Sequence, residues 1–314
     1  MATTETLAAG LAEVLGAAAI TELVRLSGGA SRETWRFVAD GRPLILQRQR
    51  AGDGRDMGVE AAVLRAASAG GVPVAELVAA GTGDNPLRAS YMVLSAVEGE
   101  TIARKILRDA PFAAAREVLP QHFGAALARL HAIDPAVVPE LPDLDQVEQY
   151  RTMLDTLAQP HPTFELAFRW LESHRPTSTR RAIVHGDFRL GNVMVGPDGL
   201  RAVLDWELAH IGDPMEDLGW LCVKAWRFGA APPVAGVGQY EQLFAAYEAA
   251  GGGTVDPDEV RWWEVLGTLK WGIMCILQAN AHLSGFSRSH ELAAIGRRVC
   301  ENEYDLFVAL EGRW

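Results

Sequence analysis

Apolar and polar positions change period along the chain. Leu7, Leu11, Val14 and Leu15 recur at helical spacing, which predicts a short amphipathic helix over residues 4–16. Beyond it, 22–26, 34–38 and 44–48 are short strand-forming runs separated by Ser27-Gly28-Gly29-Ala30-Ser31 and by Asp40-Gly41, the pattern of a three-strand meander. A helix is predicted over 57–67, with Val59, Val63 and Leu64 on one face, and 72–78 and 89–94 read as two further strands around the loop 81–86. Helical spacing then takes over. Val118, Leu119, Phe123, Leu127, Leu130 and His131 predict a buried helix over 113–133, and 147–157 and 164–171 predict two more. At 314 residues and 49% hydrophobic content, the chain is long enough for two lobes. The expectation is an α+β chain with a small β-rich lobe over 1–97 and a larger, mainly helical lobe over 98–314.

One stretch carries candidate chemistry. Apolar residues on both sides of Pro197-Asp198-Gly199 predict a hairpin, with Asp187 and Asn192 on the loop entering its first strand and Asp205 at the exit of its second. Three oxygen-bearing side chains thus meet at one end. Phosphoryl transfer needs such a set: a carboxylate to orient and deprotonate the attacking hydroxyl, here Asp187, and hard oxygen ligands for Mg²⁺, here Asn192 and Asp205. The order His-x-Asp-x-x-x-x-Asn, then a strand and an Asp, is that of a kinase catalytic loop, but Gly186 stands in place of the usual Arg and Asp205-Trp206-Glu207 in place of Asp-Phe-Gly. These departures point away from protein kinases. Arg189, by its position inside the loop, is a candidate to offset charge on the transferred group.

His185-Gly-Asp-Phe-Arg-Leu-Gly-Asn192, Asp205-Trp-Glu207 and Gly212-Asp213-Pro214-Met-Glu-Asp217-Leu218 together resemble the aminoglycoside phosphotransferase and choline kinase-like superfamily, in particular the general branch related to the kinase-like domains fused to acyl-CoA dehydrogenases. The resemblance covers nearly the whole chain. It implies a bilobal protein-kinase-like fold, use of ATP and Mg²⁺, and transfer of the γ-phosphoryl group to a small-molecule hydroxyl. It also implies that Asp217 and His185 brace the catalytic loop, with Asp213 in support; Asp213 and Asp217 read equally as helix-start residues. By the same resemblance, Ser95-Ala96-Val97 is the hinge whose backbone meets the purine, and 140–180 lies beside the acceptor cleft.

A kinase-like small lobe needs a phosphate-covering loop and a strand cation paired with a helix Glu. Ser27, Gly28, Gly29 and Ser31 supply the loop, because Gly lets backbone N–H groups approach phosphate oxygens. The cation is harder to find, as residues 1–97 contain no lysine. Alternation puts Leu44, Leu46 and Arg48 on one face of the third strand and Ile45 and Gln47 on the other. Positive charge favours Arg48, paired with Glu60, and leaves Gln47 as the other choice of register. Trp206, Glu207, Lys270 and Trp271 are the candidates to line the acceptor cleft.

Composition narrows the function classes. The net charge is −11, and the excess lies in 98–314, with 20 Lys and Arg against 30 Asp and Glu. An acidic surface argues against nucleic acid, which recruits basic patches. No basic leader or long apolar run is present, so neither a signal peptide nor a membrane partner is expected, and a cytoplasmic setting is. Cys222, Cys275 and Cys300 are too scattered for a disulfide framework and read as buried small hydrophobes. The expected activity is a small-molecule kinase, acting on a hydroxyacyl-CoA-like metabolite or, alternatively, on an aminoglycoside or choline-type amino alcohol. The missing lysine keeps open a degenerate nucleotide-binding regulator, and nothing in the sequence indicates an oligomeric state.

Overall fold

In the computed structural model of the protein, residues 4–26, 32–49 and 57–313 are described. Helix α1 (Thr4–Leu15) precedes strands β1 (Ile20–Arg25), β2 (Arg32–Ala39) and β3 (Arg42–Gln49), paired as an antiparallel meander. Asp40 and Gly41 turn between β2 and β3 with φ of 48° and 84°, a two-residue reversal whose twist matches a hairpin. The Asp40 carboxylate also accepts from the backbone N–H groups of Ala18 and Ala19 at 3.0 and 2.9 Å, tying the end of α1 to the sheet. After α2 (Met57–Ala69) come β4 (Leu77–Gly81) and β5 (Tyr91–Ser95), completing the order β1-β2-β3-β5-β4.

The two faces of this sheet have different partners. Phe37, Leu44, Leu46 and Val93 pack against Leu7 and Leu11 of α1. Met92, Leu94 and Ile45 face the other way, into a core shared with α2 and the large lobe. The predicted strand 72–78 is strand only from Leu77. Pro73 has no N–H for a ladder, and its carbonyl accepts from Val203 N at 2.7 Å, so the segment is spent on the second lobe instead.

The large lobe opens with α3 (Ala103–Arg108), a short helix that the apolar spacing did not signal, and α4 (Ala113–His131). Leu119, Phe123, Leu127 and Leu130 of α4 are buried, and the helix ends ahead of Asp134-Pro135. Next are α5 (Gln146–Leu157) and α6 (Pro162–Ser173), then four short strands: β6 (Ala182–Val184), β7 (Val193–Gly196), β8 (Gly199–Val203) and β9 (His210–Gly212). β7 and β8 form the expected hairpin, while β6 pairs with β9, a partner that local pattern did not reveal. Helices α7 (Met215–Cys222) and α8 (Tyr240–Ala249) lead to α9 (Pro257–Leu283), which has Pro257 at its first position and Asp256 as its N-cap. α9 crosses the lobe: Trp262, Leu266, Leu269 and Ile273 meet α5 and α6, whereas Trp271 meets Trp226. The chain closes with α10 (His290–Ile295) and α11 (Val299–Leu310).

Two smaller expectations are corrected. Cys222 and Cys275 are buried, but Cys300 is exposed at the start of α11. The Pro- and Gly-rich residues 230–238, a composition that suggests a flexible connector, instead bury Val234 and Ala235, and Ala235 N donates to Leu221 O at 3.2 Å. No described helix is long and apolar enough to cross a membrane.

Candidate active site

The loop between β6 and β7 presents Asp187, and three side chains hold its carboxylate. Asn192 Nδ2 donates to Oδ2 at 2.5 Å, while Arg189 Nε and Trp220 Nε1 donate to Oδ1 at 3.0 and 2.9 Å. Arg189 in turn lies over the Trp226 ring at 4.8 Å. Leu204 N donates to Asn192 O at 2.8 Å, which draws the exit of β8, and with it Asp205, to the same end of the hairpin. Asp205 adopts φ of 60°, a left-handed conformation uncommon outside Gly, Asn and Asp.

Behind the loop the support is buried. Asp217, wholly enclosed on α7, accepts from His185 N and Gly186 N at 2.7 and 2.9 Å and contacts His131 Nε2 at 3.1 Å. Burial alone would raise its pKa, yet His131 and these donors hold it below the usual carboxylate range. His185 Nε2 donates to Leu204 O at 2.9 Å and its Nδ1 accepts from Asp187 N at 3.2 Å, so the ring is the neutral Nε2–H tautomer. Its pKa is lowered, burial being the main cause. Asp213 precedes the Pro214 N-cap of α7 and accepts from Met215 N at 2.8 Å and from Ser178 Oγ at 2.7 Å.

Gly186 explains one departure from the kinase pattern. Its φ is 74°, and a Cβ here would lie 2.5 Å from Leu208 O, so no side chain fits. Its carbonyl accepts from Lys270 Nζ at 3.0 Å. Lys270, expected in the acceptor cleft, is only 4% exposed and sits under the loop, 3.5 Å from Glu216 and over the Trp220 ring. Trp206, also expected to line the cleft, is buried against His185 with ring centroids 4.7 Å apart. Trp271 packs on Trp226 at 4.8 Å, and only Glu207 of the four expected lining residues reaches the opening between the lobes.

On the small-lobe side the expected Arg48–Glu60 pair is not formed. Arg48 shares a sheet face with Leu44 and Leu46, and it turns to Glu33, its cross-strand partner, at 3.4 Å and to Leu87 O at 2.9 Å. Glu60 instead holds Arg32, with Nη1 to Oε1 at 2.7 Å. The same guanidinium reaches Gln47 Oε1 at 3.2 Å, Glu207 Oε2 at 2.9 Å and Asp205 Oδ1 at 3.5 Å. Sequence reasoning missed Arg32. The available signal was its strand pairing, since β2 Thr34 opposite Gln47 puts Arg32 on the Gln47 face. Ser95 ends β5, and its backbone N–H and Oγ both engage Glu76, while Val97 is half-buried. The candidate loop residues Ser27, Gly28, Gly29 and Ser31 lie outside the described residues.

The donor set is one that a hard cation fits. Enclosure by the cleft, and then the neighbouring Glu207 charge, raise Asp205 to about 6 against the pull of Arg32. The side chain keeps 41% of its exposure, so this is the enclosure of a cleft and not of a sealed core. A cation beside Asp205 and Asn192 would relieve the crowding of carboxylates. Among the described residues no group of three or more His, Cys, Asp or Glu forms a ready metal cage. Mg²⁺ does not need one, since it commonly takes one or two protein ligands and completes its shell with water and phosphate.

Comparison with known proteins bears on the family and the fold. Over 229 residues the chain is 24% identical to acyl-CoA dehydrogenase family member 10 of Mus musculus, covering 68% of this chain but only 21% of that longer relative. Among solved structures, a Ralstonia eutropha JMP134 protein assigned provisionally as an aminoglycoside phosphotransferase superposes with a TM-score of 0.77 at 21% identity, over 98% of each chain. Spectinomycin phosphotransferase, in complex with ADP and spectinomycin, superposes with a TM-score of 0.69 at 11% identity, again over 98% of each chain. The fold is therefore the bilobal kinase-like one, and with a family model matching residues 22–263 the chain belongs to the APH family of phosphotransferase enzymes.

Proposed function

We propose that the protein transfers the γ-phosphoryl group of ATP to a hydroxyl of a small molecule, with residues 1–97 binding the nucleotide and 98–314 carrying the chemistry and the acceptor site. The observation that carries this reading is the fixing of Asp187 by Asn192, Arg189 and Trp220 at the end of the hairpin that also presents Asp205. Three donors set the position of one carboxylate, the preorganisation that a general base requires. Asp187 orients the acceptor hydroxyl and takes its proton as the new O–P bond forms and the bond from phosphorus to the β-γ bridging oxygen breaks, releasing ADP. Asn192 and Asp205 would hold Mg²⁺, which supplies charge neutralisation along the phosphates. Arg189, anchored beside Asp187, offsets charge on the group in flight. The backbone of 95–97, where β5 leaves the sheet, meets the purine.

The surroundings of Asp187 favour a neutral or anionic acceptor. Arg189 and Trp220 touch it and Arg189 lies over the Trp226 ring, while of the large-lobe carboxylates Glu216 and Asp217 are buried and paired, Glu207 is held by Arg32, and Asp205 is given to the metal in this reading. A cationic aminoglycoside or choline-type amino alcohol would call for carboxylates open to the cleft. A hydroxyacyl thioester fits better, and the name of the mouse relative points the same way. The test is ADP release from Mg-ATP with a panel of hydroxyacyl thioesters, amino alcohols, aminoglycosides and sugars, using Asp187→Ala as control. Release stimulated by hydroxyacyl thioesters and lost in Asp187→Ala is expected. Stimulation by amino alcohols or aminoglycosides would overturn the acceptor assignment, and absence of both turnover and nucleotide binding would overturn the kinase reading.

A further inference from the structure

We infer that Arg32, on β2, is the cation that grips the inner phosphates of the nucleotide, in the role a lysine on β3 would otherwise fill. The inference rests on the nucleotide-dependent function proposed above.

Three observations lead to it. First, the β3 position that faces α2 is Gln47, which carries no charge, and residues 1–97 contain no lysine to replace it. Second, Glu60, the α2 acid suited to steady a strand cation, already steadies one. It pairs with Arg32 at 2.7 Å, and Gln47 Oε1 accepts from the same Nη1 at 3.2 Å. Arg48 is unavailable, because its side chain points to the opposite face of the sheet. Third, Arg32 Nη2 reaches across the cleft to Glu207 at 2.9 Å and Asp205 at 3.5 Å. The guanidinium therefore lies between the small-lobe acid and Asp205, the carboxylate assigned to the metal, where the inner phosphates of a metal-bound nucleotide would pass.

The fork of Arg divides this work between its two ends. Nη1 stays on Glu60 and keeps the side chain aimed. Nη2, which rests on Glu207, exchanges that carboxylate for a phosphate oxygen when nucleotide binds. Such an exchange swaps one anionic acceptor for another, so the guanidinium, only 12% exposed, is never left buried without a counter-charge. Through Glu60 and Glu207 the same side chain also ties the two lobes together.

The test is titration calorimetry of Mg-ATP and Mg-ADP with the full chain, together with unfolding temperatures. Variants are Arg32→Ala, Arg32→Gln, Arg48→Ala and the double variant Arg32→Ala/Gln47→Lys. A charge-assisted contact to phosphate corresponds to roughly tenfold or more in affinity. Arg32→Ala and Arg32→Gln should weaken nucleotide binding by that amount, with KM for ATP rising more than kcat falls. Arg48→Ala should bind within about twofold of the wild type, a change of roughly 0.4 kcal/mol. Lysine at position 47 should restore much of the lost affinity, because it returns a cation to the β3 position beside Glu60. Wild-type affinity in folded Arg32→Gln would overturn the inference and leave the kinase reading standing. A loss matched by a fall in unfolding temperature, and not restored by Gln47→Lys, would make Arg32 a strut only. No nucleotide binding by the wild type would overturn both proposals.

Discussion

The two ends of the cleft are built on different principles. At the catalytic end, nearly every group is fixed by a contact reaching from another element: Asp217 of α7 holds two consecutive loop N–H groups, Lys270 of α9 holds the Gly186 carbonyl, and Trp220 holds Asp187. These supports are buried, so each lost hydrogen bond leaves a polar group without water to replace it. At the phosphate end, Arg32 is shared among Glu60, Gln47, Glu207 and Asp205, on both sides of an opening, and Asp205 stays 41% exposed. In the proposed roles, a rigid base faces an adjustable grip. The difference suits a reaction in which the attacking hydroxyl must be aimed while a charged nucleotide enters and leaves.

Substitutions can break this comparison at either end. The largest effect is expected for Asp187→Ala, which should lower kcat by about 10²–10⁴-fold and leave the Kd for Mg-ATP unchanged, as read by steady-state kinetics and calorimetry. Asp217→Ala should come next, with a stability loss of roughly 3 kcal/mol or more in urea titrations, since it orphans two buried backbone donors and His131. Gly186→Ala should cost about 1–3 kcal/mol for its φ of 74° alone, before the clash of its Cβ with Leu208 O is relieved.

A smaller effect is expected from pH. Burial pulls the His210 pKa down, but the charge of Glu216 and a 3.0 Å contact leave it above the ordinary 6.5, while Glu216 is held below 4.5. The raised His contributes stability fully below 6.5 and loses it as pH rises through its folded value. The depressed Glu contributes fully above 4.5 and loses it as pH falls through its own folded value. The pair should therefore be most stabilising between 4.5 and 6.5, and the gap in unfolding temperature between wild type and His210→Gln should be widest there and shrink at pH 8. A gap that grows toward pH 8 would show that His210 is neutral in the folded protein. The smallest effect is expected for Arg48→Ala, less than about 1 kcal/mol of stability, because its ion pair with Glu33 is partly solvated.

The catalytic end was legible because its parts are close in sequence. His185, Asp187 and Asn192 share one loop, and the hairpin that delivers Asp205 is announced by Pro197-Asp198-Gly199. The rest of that end was not legible. Neither Trp220 nor Lys270 is near the loop in sequence, and aromatic or basic residues on a helix carry no mark of the atom they will meet. The phosphate end failed differently. The alternation of Leu44, Leu46 and Arg48 against Ile45 and Gln47 was readable, but the side facing α2 was not. That depends on α1 covering the Leu44 and Leu46 face, a contact between elements more than twenty residues apart.

The sequence by itself determined the α+β order of elements, the family and the ordered set Asp187, Asn192 and Asp205, because periodicity, turn chemistry and loop spacing act over a few residues. Tertiary structure decided which cation meets Glu60, which residues brace Asp187, and that Lys270 and Trp206 are enclosed. Those outcomes follow from how helices cover the faces of sheets and from the cost of burying charge without a partner, and both are set only when distant segments pack.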